Sequence, residues 1–201
     1  MDALDLLLNR VSVTRLCEPA PDAAQLDLLF RAALRAPDHG QLHPWRFLTI
    51  EGAARYELGE LFASALQSRQ ANAAEEALQK ARNMPLRAPM LIVVIASVKT
   101  HPKVPEHEQV LAAACAAHGL LLAAHAQGLG AVWRTGDFSY DPHVLKGLGL
   151  SEHERLLGFM YVGTPEGRVR VAPVLEPQAF VSGWGGQTRR LSVCGAGLPS
   201  G

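Results

Sequence analysis

Residues 106–136 constrain the fold more than any other stretch. From Val110 to Gln127 the chain is almost wholly Ala and Leu, with Cys115 among them and His118, His125 and Gln127 as polar interruptions. Ala and Leu are strong helix formers and no Pro intervenes, so the stretch reads as a helix opened by Glu106. A helix apolar on nearly every face is expected to be buried all round, Cys115 with it, and its small side chains let other backbones approach. Gly128, just past the run, suits the left-handed residue that ends many helices. Gly130–Gly136, which reads Gly-Ala-Val-Trp-Arg-Thr-Gly, then looks like a short strand carrying an aromatic and a fixed cation between glycines. A flat anionic ligand could meet the backbone there. An ordinary core helix and strand account for the same pattern.

The long helix has the length of a membrane span. Its Ala content, its histidines and the lack of a second such stretch argue for a core helix instead. The 201 residues fit one domain, and 19 basic residues balance 19 acidic ones, so no broad field favours nucleic acid or an anionic membrane. The start, Met1–Leu8, carries Asp2 and Asp5 and no basic leader, so no signal-peptide pattern is expected. Cys17, Cys115 and Cys194 are far apart and odd in number, without Cys-x-x-Cys spacing. That usage points to a reducing cytoplasm and no thiol chemistry.

Asp2 can cap a first helix, Ala3–Asn9. Arg10-Val11-Ser12-Val13-Thr14-Arg15 follows, with Val11 and Val13 expected opposite the polar side chains. Two guanidiniums, a hydroxyl and backbone N–H groups suit a phosphate; a solvated loop is the plain alternative. Asp22 and Gln25 form a capping-box pattern for a helix that should stop near Arg35, because Pro37 disfavours helix at Ala36. The loop from Arg35 to Trp45 gathers two prolines, two histidines, a glycine and a tryptophan. His39 and His43 have no Cys or carboxylate pair at ligand spacing, so no metal site is expected. A strand at Arg46–Glu51, an amphipathic helix at Ala53–Leu66 and a more polar helix at Asn72–Asn83 come next; the last is a plain surface helix or a mobile cover. Met90–Val98 is a continuous β-branched run, expected as a central strand buried on both faces. Asp141-Pro142 starts a short helix, and Leu156–Val162 is a further strand. Helices and strands mix without regular βαβ alternation, which favours an α+β fold. Gly185–Gly201 is rich in Gly and Ser and is expected to be loosely held.

No Gly-x-Gly-x-x-Gly, Walker lysine or Gly-x-Ser-x-Gly motif occurs, and no carboxylate pair suits acid/base work. Binding residues without a catalytic dyad point to chemistry supplied by a cofactor.

Several pieces in order carry a resemblance: Met1-Asp2-Ala3 through Asn9-Arg10-x-Ser12, Arg35-Ala36-Pro37-Asp38-His39, Pro44-Trp45-Arg46-Phe47, Ala126-Gln127-Gly128-x-Gly130 and Trp133-Arg134. Together they resemble the FMN-dependent nitroreductase family, nearest its short YdjA-like branch. The resemblance covers about residues 1–181, the FMN-binding domain, and leaves 182–201 as a loosely ordered C-terminal extension. It implies an α+β nitroreductase-like fold with a central mixed sheet, in an intertwined homodimer whose seam includes the long helix. It implies FMN at the subunit interface, held by Arg10, Val11, Ser12, Trp133, Arg134 and Thr135 of one subunit and by Arg35 and His39 of the partner subunit. Residues Ala123, Ala124, His125, Ala126, Gln127 and Gly128 would help receive NAD(P)H. No side chain is assigned a catalytic role. Val11 stands where the family often has Arg, so a contact there runs through its backbone. His43 stands where an amide is usual. The implied activity is hydride transfer from NAD(P)H through the flavin to an electron-poor acceptor, a nitroaromatic or quinone. A flavin-binding sensor or carrier without turnover is the alternative, and a purely structural dimer a third.

Overall fold

Strand β3 (Met90–Ser97) forms the middle of the sheet because seven of its eight residues are apolar and can be buried on both faces. In the computed structural model, which describes residues 2–185, all seven are buried. The preceding elements are α1 (Ala3–Asn9), β1 (Leu16–Cys17), α2 (Ala23–Ala33), β2 (Trp45–Glu51), α3 (Ala54–Arg69) and α4 (Glu75–Asn83). After β3 come α5 (Glu106–Ala126), β4 (Gly130–Arg134), α6 (Pro142–Gly147) and β5 (Glu154–Pro165). β3 pairs with β2 on one edge and β5 on the other. β5 also carries β4 along Phe159–Gly163 and the two residues of β1 at Thr164–Pro165.

The α+β class is as expected, but the sheet is antiparallel at every described pairing rather than mixed. β3 and β4 do run in the same direction, since each is antiparallel to β5. β5 lies between them, so these like-directed strands are not bonded to one another.

Alternation along β3 feeds two cores. Leu91, Val93 and Ile95 meet Phe62, Leu78, Val144 and Phe159 under α3, α4 and α6. Ile92 and Val94 meet Leu29, Ala116, Ala117 and Leu120 under α2 and α5. α2 begins with the anticipated reciprocal cap, Gln25 N donating to Asp22 Oδ1 (2.8 Å) and Asp22 N to Gln25 Oε1 (3.0 Å). It then runs antiparallel to α5. Gln127 Nε2 donates to Gln25 O (3.3 Å) at one end, and Gly119 lies against Ala32 and Ala33 at the other. A Cβ at Gly119 would press on the Ala32 carbonyl at 3.0 Å, so Gly lets the helices close.

α5 itself departs from the expectation of burial all round. Gln109, Ala112, Ala113, Ala116, Ala117, Leu120, Leu121 and Ala124 are buried, yet Leu111 is 61% exposed and Cys115 is exposed rather than core. Apolarity on every face leaves no stripe to mark an outer side, and one chain supplies packing for only one side. Among the described residues α5 is the one helix long and apolar enough to cross a membrane, but its inner face fills the second core. The chain divides into a unit of residues 1–171 and a second of residues 172–201. In the second, Pro177–Ala179 forms a single turn and Phe180 and Trp184 are exposed. Most of the anticipated extension, residues 186–201, lies outside the described residues.

Candidate functional site

α1 ends at Asn9, and Arg10 turns out of the helix into extended backbone (φ −59°, ψ 128°). Val11 is buried, as its alternation implied, and Val13 N donates to Ala131 O (2.9 Å). That bond lays the Arg10–Arg15 stretch beside the start of β4. Val13 and Leu16 pack where a Cβ at Gly130 would collide with them, so Gly130 permits the approach. Arg10 Nη1 is buried without a hydrogen-bond partner. Ser12 lines a cavity of about 110 Å³ together with Arg15, Arg168 and Arg170, against one carboxylate, Glu166. In the sequence Arg168 and Arg170 merely alternate with Val169 and Val171. Nothing in the spacing tied them to Ser12 more than 150 positions earlier; the β1–β5 pairing does.

Further along β4, successive side chains point to opposite faces of the sheet. Trp133 packs on the α5 side and its Nε1 donates to Leu157 O (3.0 Å). β5 makes room for it. The β3–β5 register slips between Val94 and Ile95, and at Gly158 (φ 143°) any Cβ would collide with the indole. Arg134 lies on the other face, its Cζ 5.6 Å from the Tyr161 ring centroid, and its Nε is buried with no partner. Thr135 is exposed, and Gly136 (φ 141°) turns the chain in a region that favours glycine. Arg134 and Thr135 line a cavity of about 410 Å³ that reaches beneath α4.

Arg35 and His39 lie elsewhere. Arg35 is exposed and makes no side-chain hydrogen bond or ion pair among the described residues. His39 Nδ1 is 2.6 Å from Glu108 Oε2, at the first turn of α5. Its loop is set by left-handed backbone at Gly40, Gln41 and His43 and by His43 N donating to Asp38 Oδ2 (2.6 Å). His43 stacks edge-on to Trp45. At 1.5 Å per residue, Glu108 and Ala126 are about 27 Å apart along α5. The Val13–Ala131 contact sits near one end of that helix and His39 at the other. One chain therefore lays the Arg10–Arg15 stretch against the start of β4, the strand that carries Trp133 and Arg134 and leads to Thr135, while His39 lies toward the other end of α5. Among the described residues no group of three or more His, Cys, Asp or Glu is placed to hold a metal ion.

A nitroreductase family model matches residues 7–164. The chain is 42% identical over 185 residues to YdjA of Escherichia coli (strain K12), a protein provisionally named an NAD(P)H nitroreductase, covering 90% of this chain and 99% of YdjA. The chain belongs to the nitroreductase family. Solved structures share the fold. A nitroreductase-like family protein from Bacillus cereus superimposes with a TM-score of 0.77 at 21% identity, over 92% of this chain and 97% of the other. A nitroreductase with bound FMN from Bacteroides fragilis gives a TM-score of 0.65 at 22% identity, over 88% and 95%.

In this nitroreductase the segment Ala123–Gly128 is first of all a helix end. Gly128 (φ 74°) donates its N–H to His125 O (3.0 Å), and Leu129 N reaches Ala124 O (2.9 Å). Ala124 is buried in the second core, and Gln127 is tied to α2 and to Ala123 O. Ala126 and Gly128 are the exposed members.

Proposed function

We propose that this nitroreductase is a homodimeric FMN enzyme that carries electrons from NAD(P)H to an electron-poor acceptor, a nitroaromatic or quinone, in a ping-pong cycle. The observation that carries the reading is the separation of His39, at the first turn of α5, from the Arg10–Ser12 stretch, near the other end of that helix. In this reading Arg35 and His39 reach the flavin from the partner subunit, which fits His39 lying near the opposite end of α5 from the Arg10–Ser12 stretch of its own chain. The residues present suit the cofactor. Arg10 Nη1 and Arg134 Nε are buried donors without acceptors, and a buried unmet donor costs about 1–3 kcal/mol. A phosphate and a polar ring edge would relieve them.

In this reading Arg10, Ser12 and the Val11 backbone hold the FMN phosphate and ribityl chain. Trp133, Arg134 and Thr135 position the ring, with Arg134 compensating charge at its edge. Arg35 and His39 of the partner subunit close the site; in the single chain His39 is already oriented by Glu108. When bound, FMN supplies a ring that accepts hydride from NAD(P)H and passes it on. The chain's own task is to bind, orient and exclude water, and no side chain need donate a proton because water can. Within Ala123–Gly128, contact with NAD(P)H falls to the exposed Ala126 and Gly128 and to the helix end. The apolar outer face of α5, with Leu111 and Cys115, and the exposed Leu4, Leu7 and Leu8 of α1 supply the dimer seam. The flavin-binding domain is taken as residues 1–181, with 182–201 as an extension and the cytoplasm as the compartment.

Visible spectroscopy of the purified protein tests this. Flavin absorbance, present or gained on titration with FMN, is the expected result, and a colourless protein that gains none contradicts it. Anaerobic NADPH then separates the enzyme, whose flavin bleaches within seconds, from a carrier, whose flavin does not. Arg10→Ala is expected to weaken FMN by about 1.5–3 kcal/mol if the guanidinium pairs with the phosphate. Unchanged affinity would misplace that assignment.

A further inference from the structure

Along its outer side α5 carries one line of residues. His107, Leu111, Cys115 and His118 are exposed, and Leu122 and His125 are half-buried. Their spacings of three and four keep them on one face of the helix. In the middle of the line stand its thiol and an imidazole, three positions apart, so both side chains leave the same face. Neither Cys115 nor His118 has a side-chain partner among the described residues.

The proposed flavin dimer, on which this site rests, fixes how a second copy meets that line. If His39 of the partner subunit reaches the flavin held at Arg10 and Ser12, the first turn of one α5 lies beside the last turn of the other. The two helices then run antiparallel about a two-fold axis that crosses each near its middle. Ala117 is midway between Glu108, which holds His39, and Ala126, the last residue of the helix. Ala117 is buried, and the exposed positions flanking it are Cys115 and His118. In this register the line is close to a palindrome. Leu111 faces Leu122 of the partner subunit, and Cys115 faces His118 of the partner subunit. Packed helices approach to about 8–10 Å, so two thiols and two imidazoles converge on the axis between leucine pairs. Burying such groups is costly unless each finds a partner.

We propose that Cys115 and His118 of both copies form a Cys2His2 site for one zinc ion on the dimer axis. Four nitrogen and sulfur ligands around an axis suit a tetrahedral ion, and zinc favours this set. Both thiols lose their protons to solvent on binding. The two thiolates cancel the charge of the ion, so a neutral unit lies between the leucines. One chain supplies only two of the four ligands, in keeping with the absence of any group of three within the described residues. Along the helix the ion stands roughly 13 Å from either end, away from both flavins. It therefore locks the seam and takes no part in electron transfer.

Cobalt titration of the purified full chain, stripped by chelator and kept under reductant, tests the site. Particle mass and FMN content are measured on the same samples. One cobalt per two chains is expected, with a thiolate charge-transfer band and the red d–d bands of a tetrahedral ion, both displaced by zinc. Cys115→Ser should lose the charge-transfer band and His118→Ala the d–d bands. Zinc should raise the melting temperature of the wild type and leave that of Cys115→Ser unchanged. A flavin-bearing dimer that takes up no cobalt, or whose bands survive Cys115→Ser, overturns the site and leaves the proposed activity standing. A particle of one chain defeats the dimer, and the site with it.

Discussion

The two sides of the sheet are covered differently. Under α3, α4 and α6 the chain finishes its own packing: Phe62 stacks on Phe138 at 4.4 Å and meets Phe159 edge-on at 5.3 Å, and the exposed residues of α4 include Glu75, Glu76 and Gln79. Under α2 and α5 the inner face is just as dry, but the outer face is left apolar. Leu28, Leu34 and Leu111 are more than half exposed, as are Leu4, Leu7 and Leu8 of α1. One side of the sheet thus has a cover completed by its own chain, and the other leaves an apolar outer face, which the proposed second copy would cover. The same side carries Arg35 and His39, which the proposed flavin site would take from the partner subunit.

Leu111→Asp would break this comparison most sharply. Two charges brought into a symmetric apolar seam should cost the dimer about 5 kcal/mol or more. The particle should fall to one chain in light scattering and lose its flavin, while the melting of the single chain changes little. A retained dimer would mean that the outer face of α5 is ordinary surface. On the finished side, Phe62→Ala should lower folding stability by about 3–5 kcal/mol in denaturant unfolding without altering the particle mass of the folded fraction. A change in assembly there would erase the distinction.

A smaller effect comes from the pair that links β2 to β5. Arg46 Nε and Nη2 donate to the two Glu154 oxygens at 2.6 and 2.8 Å. These bonds hold the Glu154 carboxyl below its ordinary range and raise the Arg46 guanidinium. A depressed carboxyl stabilises the fold fully above its unfolded pKa of about 4.3 and loses that contribution as pH falls from there through the folded value. Glu154→Gln should therefore cost about 1.5–3 kcal/mol at pH 7, with the gap to wild type closing in acid. A gap that persists at pH 2–3 would show the loss is not one of charge. The smallest effect belongs to a local feature: Asp22→Ala should cost about 1 kcal/mol of stability by removing the α2 cap.

What could be read in advance follows from how local each feature is. The Asp22/Gln25 cap, the Gly128 turn and the buried run of β3 are written within a few residues, and the structure has them where they were anticipated. β1 was invisible, because two residues become a strand only by pairing with Thr164 and Pro165. The antiparallel pairing depends on β5, the last strand, inserting between β3 and β4. Cys115 was misplaced into the core because a helix apolar on every face does not say which face its own chain will cover. Arg168 and Arg170 come near Ser12 only through strand pairing, so no spacing could reveal them. The resemblance named His39 together with Arg10 and Ser12, and no local pattern says that they lie near opposite ends of α5.

Native mass spectrometry of the purified protein bears most directly on that second chain. A particle of two 21.6 kDa chains carrying two FMN is the predicted species. A single chain that binds FMN, or a dimer that binds none, would contradict a flavin held between partners.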